Sequence, residues 1–220
     1  MKKLIIFGVG DLAQLAHYYF NIDSKYETIA FTLDEKYIAE TTFENKPILP
    51  FETIEQIYSP SEYAMFIAIG YSQMNKNRAA KYLEAKAKGY HLASYISSKC
   101  TYLSQSMPGD NTFIFEDNTI QPFVKIGDNN IIWSDGHIGH HTIIHNHVFF
   151  APHVAVAGRC EILSNCFLGI NSTLQNNVRL NEKTLVGAGA MISSDSVLNG
   201  VYLPPKSNLM AKKSNQIKLK

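Results

Sequence analysis

From Ile114 to Leu198 a large apolar residue stands at every sixth position: Ile114, Ile120, Ile126, Ile132, Ile138, Ile144, Phe150, Val156, Ile162, Leu168, Leu174, Leu180, Val186, Ile192 and Leu198. Two residues before each runs a second register: Thr112, Asn118, Val124, Asn130, Gly136, Thr142, Val148, Val154, Cys160, Cys166, Ser172, Val178, Thr184, Ala190 and Ser196. Every member of it is small or medium-sized and uncharged. A period of six suits neither an amphipathic helix nor a half-buried strand; it is the hexapeptide repeat of a parallel β-helix. Three hexapeptides close one triangular coil, and coils stacked at the strand spacing of about 4.8 Å build a prism roughly 24 Å tall. The aliphatic residue fills the core from mid-strand, and the small one tucks in near the corner. The residues two and three places after each aliphatic form exposed corners. Such prisms wind left-handed, against the usual crossover rule. No repeat is interrupted, so no inserted loop is expected. Uncovered outer faces and open coil ends predict association, as a trimer.

The first hundred residues have another texture. LIIFGVGDLAQLAHYYF reads as a buried strand, a glycine turn at Gly8 and Gly10, and a helix beginning near Asp11. ETIAFTLDE is a second strand ending at Asp34 and Glu35, FETIEQIY a short helix, and YAMFIAIG a third strand ending at Gly70. A helix follows through MNKNRAAKYLEAKAKGY, stopped by Gly89, and HLASYI leads into the prism. Alternating β and α elements predict a small parallel, Rossmann-like βαβ sheet. The expected organisation is therefore a βαβ domain over 1–98, a hexapeptide prism over 99–199 and a tail over 200–220. In parallel sheets ligands bind beyond the carboxyl ends of the strands, where Gly8, Gly10, Asp34 and Gly70 all fall. The G-x-G-x-x-G fingerprint is incomplete, because Ala13 stands where the third glycine belongs. A nucleotide, hydrogen-bonded by Asp34 or Glu35 and with Arg78 as a candidate phosphate partner, accounts for this edge better than an empty turn does.

A net charge of +1 with 18% charged residues argues against a dedicated nucleic-acid binder. No apolar run is long enough to cross a membrane, and the glycine turn comes too early for a signal peptide, so a cytoplasmic location is expected. Cys160 and Cys166 occupy inward slots and read as apolar filler. The polar, basic end AKKSNQIKLK reads as a frayed tail.

Six of the eight histidines lie between 137 and 153. Corners of one coil stand too far apart for a single ion, so no metal site is expected within one chain; an interfacial one stays open. The other role is that of a general base, taking a proton from an amine or hydroxyl that attacks a thioester. One coil above His140 stands Gly158, whose amide is a candidate oxyanion donor.

A βαβ domain followed by a hexapeptide prism resembles the sialic-acid O-acetyltransferase-like family of sugar acetyltransferases, from GVGD at 8–11 through VGAGAMISSD at 186–195. The likeness is greatest to enzymes that N-acetylate nucleotide-linked 4-amino-4,6-dideoxy sugars for bacterial surface glycans. IIWSDGHIGHH, residues 131–141, takes the place of their catalytic segment. The resemblance implies that His140 is the catalytic base and Gly158 the amide facing the thioester carbonyl. It also implies acetyl-CoA held between two prisms near Asn176 and Ala188, and a nucleotide-linked amino sugar bound near Gly10, Asp34 and Gly70. Two positions depart from the family. His141 follows the base where an acid is usual, so Asp135 or a neighbouring chain's acid is expected to help. Trp133 replaces an asparagine that touches the sugar amine. Rival readings are O-acetylation of a sialic acid or another sugar hydroxyl, an interfacial-metal hydratase of the carbonic anhydrase type, and a non-catalytic sugar-nucleotide sensor.

Overall fold

A computed structural model describes residues 1–217; the last three positions of the expected tail lie outside the described residues. The chain opens with β1 (Lys2–Phe7), α1 (Asp11–Ile22), β2 (Tyr26–Leu33), β3 (Thr42–Phe43) and β4 (Lys46–Pro50), and continues with α2 (Ile54–Ile57), β5 (Ala64–Ile67), α3 (Lys76–Ala87) and β6 (His91–Leu92). The sheet order is β3-β4-β2-β1-β5-β6, parallel apart from β3. Helix α1 buries Ala13, Ala16 and Phe20, one stripe at helical spacing. That stripe covers one sheet face, whereas α2 and α3 cover the other with Ile54, Tyr82 and Ala85. The β3–β4 hairpin had no sequence reading. Its two turn residues, Glu44 and Asn45, both have positive φ, the geometry of a tight hairpin turn.

The prism is a stack of two-residue strands on three faces, each pairing in parallel with the strand eighteen residues on, as Thr119 with His137 and His137 with Ala155. The fifteen small-register residues are all buried. So are fourteen of the fifteen aliphatics; Leu198 is 61% exposed. The reason is a short final coil. Val186 pairs with Tyr202, sixteen residues away, so Tyr202 takes the core slot and Leu198 is pushed out. Ladder strands start at Tyr95–Ile96 and end at Val201–Tyr202, past both expected boundaries of the prism.

The corners repeat as strictly as the core. Position 111 and every sixth residue to 189 have φ between +53° and +72°. Asn, Asp, His and Gly take most of these places because they tolerate the left-handed region. The corners stack into three columns. Corner A runs through Asn111, Asn129 and His147, corner B through Asp117, Asp135 and His153, and corner C through Phe123, His141 and Arg159.

The first domain sits on the face between corners A and B. Phe113, Ile131 and Phe149 of that face join Phe20, Phe31 and Phe66 in one apolar core. Asn111 acts as an extra strand partner for β5, accepting from the Ile67 amide at 2.7 Å and donating to Asn129 at 2.8 Å. Asn129 in turn donates to His147 Nδ1 at 2.8 Å. Burial, then the nearby Arg78 charge, pull His147 down to about 4.

Candidate active site

Corner C is the vertex opposite the covered face, so it stands clear of the first domain. Here His140 and His141 are both exposed. The His140 amide donates to Gln121 Oε1 at 2.8 Å, and its carbonyl accepts from the Arg159 amide at 2.8 Å. These bonds hold the backbone from the coils below and above. The ring lies over Gly158: a Cβ built there would stand 2.7 Å from His140 Nε2. Among the described residues the Gly158 N–H donates to no acceptor. The His140 imidazole therefore lies against Gly158, one coil above it, where an amide without an acceptor is also found.

His140 Nδ1 faces His141 Nδ1 at 3.0 Å, so one imidazole donates and the other accepts. Desolvation, with the neighbouring Arg159 and His140, lowers the pKa of His141 and favours its neutral, accepting form. His141 thus stands where an orienting acid was sought. Asp135 does not, since it turns corner B. The histidine cluster is dispersed in space: His147 lies on corner A, His153 on corner B, and His137 and His145 on flat faces. Among the described residues no three His, Cys, Asp or Glu side chains gather as a metal site.

At the carboxyl edge of the sheet, β1 is flanked by β2 and β5, which makes the gap between β1 and β5 the switch point of the topology. Gly8, with φ +122°, has no room for a Cβ, which would lie 2.9 Å from the Ala68 carbonyl. Gly10 caps α1 without any side-chain cap, leaving the helix N-terminus to the gap, and Asp11 opens the helix from an exposed position. Asp34 pairs with Lys81 at 2.6 Å and lines a cleft of about 450 Å³ with Tyr37, Gln73 and Asn77. Glu35 begins a short turn, its amide held by Glu52 at 3.0 Å. Gly70 closes the edge, with open space where a Cβ would be.

Arg78 departs from expectation. It is fully buried, donating to the carbonyls of Gly70 (2.7 Å), Asn129 (3.2 Å) and Val148 (3.2 Å) and to Asn75 Oδ1 (2.9 Å). Desolvation draws its pKa down to about 9. A guanidinium so enclosed cannot meet a phosphate; it fastens the domain to the prism. Trp133 stacks on Phe115 at 4.5 Å with planes 7° apart, and its buried indole N–H has no partner. Asn176 shares the corner C column with His140 and Gly158, two coils above the histidine. Ala188 belongs to corner B. Within one chain these two expected coenzyme residues do not come together.

The helix expected from Met74 begins only at Lys76, and the loop before it also belongs here. Gln73, Met74 and Asn75 all have positive φ, at 50°, 52° and 64°. Three successive left-handed residues outside glycine are strained, at about 1–3 kcal/mol each. Asn75 holds the loop down, donating to the Cys166 carbonyl of the prism at 3.0 Å while accepting from Arg78.

A parallel-sheet domain fixed to one face of a hexapeptide prism is a fold that the chain shares with solved acetyltransferases. The acetyltransferase domain of PglB from Neisseria gonorrhoeae matches 93% of this chain and 100% of its own at 17% identity, with a TM-score of 0.81. Perosamine N-acetyltransferase from Caulobacter crescentus, as a histidine-to-asparagine variant in complex with CoA and GDP-perosamine, matches 90% of this chain and 93% of its own (21%, TM-score 0.78). WeeI from Acinetobacter baumannii matches 91% and 96% (18%, 0.75). Among curated sequences, an acyl-carrier-protein-dependent UDP-N-acetylglucosamine O-acyltransferase from Paracoccus denitrificans is 27% identical over 85 residues, 39% of this chain. The chain spans about a third of that relative's length. No protein-family model matches it. Among the described residues no helix is long and apolar enough to cross a membrane.

Proposed function

We propose that the chain is an acetyl-CoA-dependent N-acetyltransferase. Its acceptor is the amino group of a nucleotide-linked amino-dideoxy sugar, a 4-amino-4,6-dideoxyhexose of bacterial surface glycan assembly. The observation that carries this reading is the His140 ring lying against Gly158, whose amide has no acceptor among the described residues. In the tautomer whose His140 Nδ1–H donates to His141, Nε2 is free to take the proton of the attacking amine. The N–C bond forms as the C–S bond of the thioester breaks, and the proton passes through His140 to the departing thiolate. The Gly158 N–H receives the charge that develops on the carbonyl oxygen. A neutral His141 orients the base but supports an imidazolium less than a carboxylate would, which suits an amine better than a hydroxyl.

The site belongs between copies of the chain. Corner C lies opposite the face that bears the sugar-nucleotide domain, and Asn176 and Ala188 lie on different corners. One coenzyme can meet both only where corner C of one subunit approaches corner B of the next, as in a cyclic homotrimer. The nucleotide would lie along Gly8, Gly10 and Gly70, with Asp34 or Glu35 accepting from its base or ribose and Asp11, Trp133 and Asp135 bordering the sugar's path.

The test is coenzyme A release from acetyl-CoA with nucleotide-linked amino sugars, beside sugar hydroxyl acceptors. Turnover with a 4-amino sugar that falls at least a hundredfold in His140→Ala is expected. Turnover with hydroxyl acceptors alone would transfer the reading to O-acetylation.

A further inference from the structure

We propose that Tyr71 is the platform on which the pyranose ring of the nucleotide-linked sugar stacks, which makes it a specificity-determining residue of the acceptor site. The inference rests on the acetyltransferase reading and deepens it. Tyr71 follows Gly70 a few residues beyond the carboxyl end of β5 and is 56% exposed, a large aromatic side chain left open. It is not a free-swinging surface residue. Its ring sits 4.9 Å from Phe149, with planes 65° apart, and 4.9 Å from Phe167, with planes 53° apart. Those two phenylalanines stack on each other with planes 12° apart on the prism face that carries the first domain. Edge and tilted contacts fix the ring while leaving a face of it uncovered.

The backbone beneath it is held at a cost. The Asn75 amide donates to the Tyr71 carbonyl at 3.1 Å, closing the turn that contains the left-handed residues Gln73, Met74 and Asn75. Buried Arg78 and Asn75 tie that turn to three coils of the prism through the carbonyls of Asn129, Val148 and Cys166. A strained turn pinned to the prism at three carbonyls, whose visible result is an open aromatic ring, is a device for presenting that ring.

The occupant follows from the order of groups along the edge. A nucleotide lying across the switch point puts its base end toward β2 and Asp34, and its diphosphate at the Gly10 terminus of α1. The remaining part extends past β5 along the prism, where Tyr71 stands. A deoxyhexose is the apolar end of such a ligand: its ring C–H face and missing hydroxyl bury well against an aromatic ring. Tyr71 therefore grips the sugar and not the nucleotide.

The experiment measures binding of UDP and GDP, and of their 4-amino-4,6-dideoxyhexose conjugates, to wild type, Tyr71→Ala and Tyr71→Phe. Thermal melting of each variant runs in parallel. Tyr71→Ala is expected to weaken the preferred conjugate about tenfold, leave the bare nucleotide within twofold and lose no more than roughly a few degrees of melting temperature with its packing on Phe149 and Phe167. Tyr71→Phe, which retains the ring, is expected to match wild type. Unchanged conjugate affinity in Tyr71→Ala overturns this inference alone. Equal loss of nucleotide and conjugate also overturns it, placing the ring on the base or in the scaffold. Wild type that binds none of the conjugates overturns the acetyltransferase reading and this inference together.

Discussion

The 2.7 Å between His140 Nε2 and a Cβ built on Gly158 sets what position 158 can hold. The φ of Gly158 is not positive, so the backbone itself accepts alanine; what a methyl group meets is the imidazole. Gly158→Ala is expected to fold normally and to lower kcat by a factor of about 100, because its methyl displaces the His140 ring while the backbone N–H is retained. Circular dichroism and melting set beside steady-state rates check this, and a variant with wild-type kcat would mean that the position of the His140 ring over residue 158 does not limit the reaction. That His140 and Gly158 lie together was legible from coil arithmetic, which sets residues eighteen apart one above the other. Arg78 was not. A basic residue near a glycine-rich strand end reads as an anion ligand, and nothing local reveals that prism carbonyls from position 129 onward will surround it.

Among the elements, the repeat was legible in its core and small registers and in where its corners fall, but the residue preference of those corners went unread. Asparagine, aspartate, histidine and glycine recur three places after the aliphatic residue, because the corner there is left-handed. That register explains His141, His147 and His153 as corner residues first, and it separates them from His140. Lys183, with φ +57°, is an exception to the preferred set. Lys183→Asn is expected to stabilise the chain by up to about 1 kcal/mol, a rise of roughly 2–4 °C in Tm. Differential scanning calorimetry decides it; an unchanged or lower Tm would mean the corner is not strained at lysine. Leu198 was misread because sixfold periodicity continues in the sequence for one repeat beyond the coil that can use it.

In the whole molecule, two bodies are joined by a buried polar seam: Ile67, Asn111, Asn129 and His147 in sequence, with Arg78 alongside. Asn111 and Asn129 look like ordinary corner residues, so the seam was invisible in the chain. It makes stability depend on pH. The folded pKa of His147, about 4, lies below the ordinary 6.5, so the unfolded chain takes up this proton first. Its contribution is intact above pH 6.5 and is lost as pH falls toward 4, by on the order of 3 kcal/mol in all. Urea unfolding at pH 7.5 and 4.5 is expected to show a larger acid loss in wild type than in His147→Asn, which keeps a corner-tolerant residue. Equal losses in the two proteins would contradict this.

The sixteen-residue coil that closes the prism bears on how such a gene can change. Over residues 113–192 the molecule repeats itself by translation, so duplicating or deleting one whole coil there preserves every corner and every core slot. A change of that size lifts or lowers one site relative to another by a single rung of about 4.8 Å, like moving a shelf on evenly drilled pegs. Across the segment that carries Leu198 outward and Tyr202 inward, the pegs are no longer evenly spaced. Growth of the ladder by copying is therefore open below that coil and blocked within it.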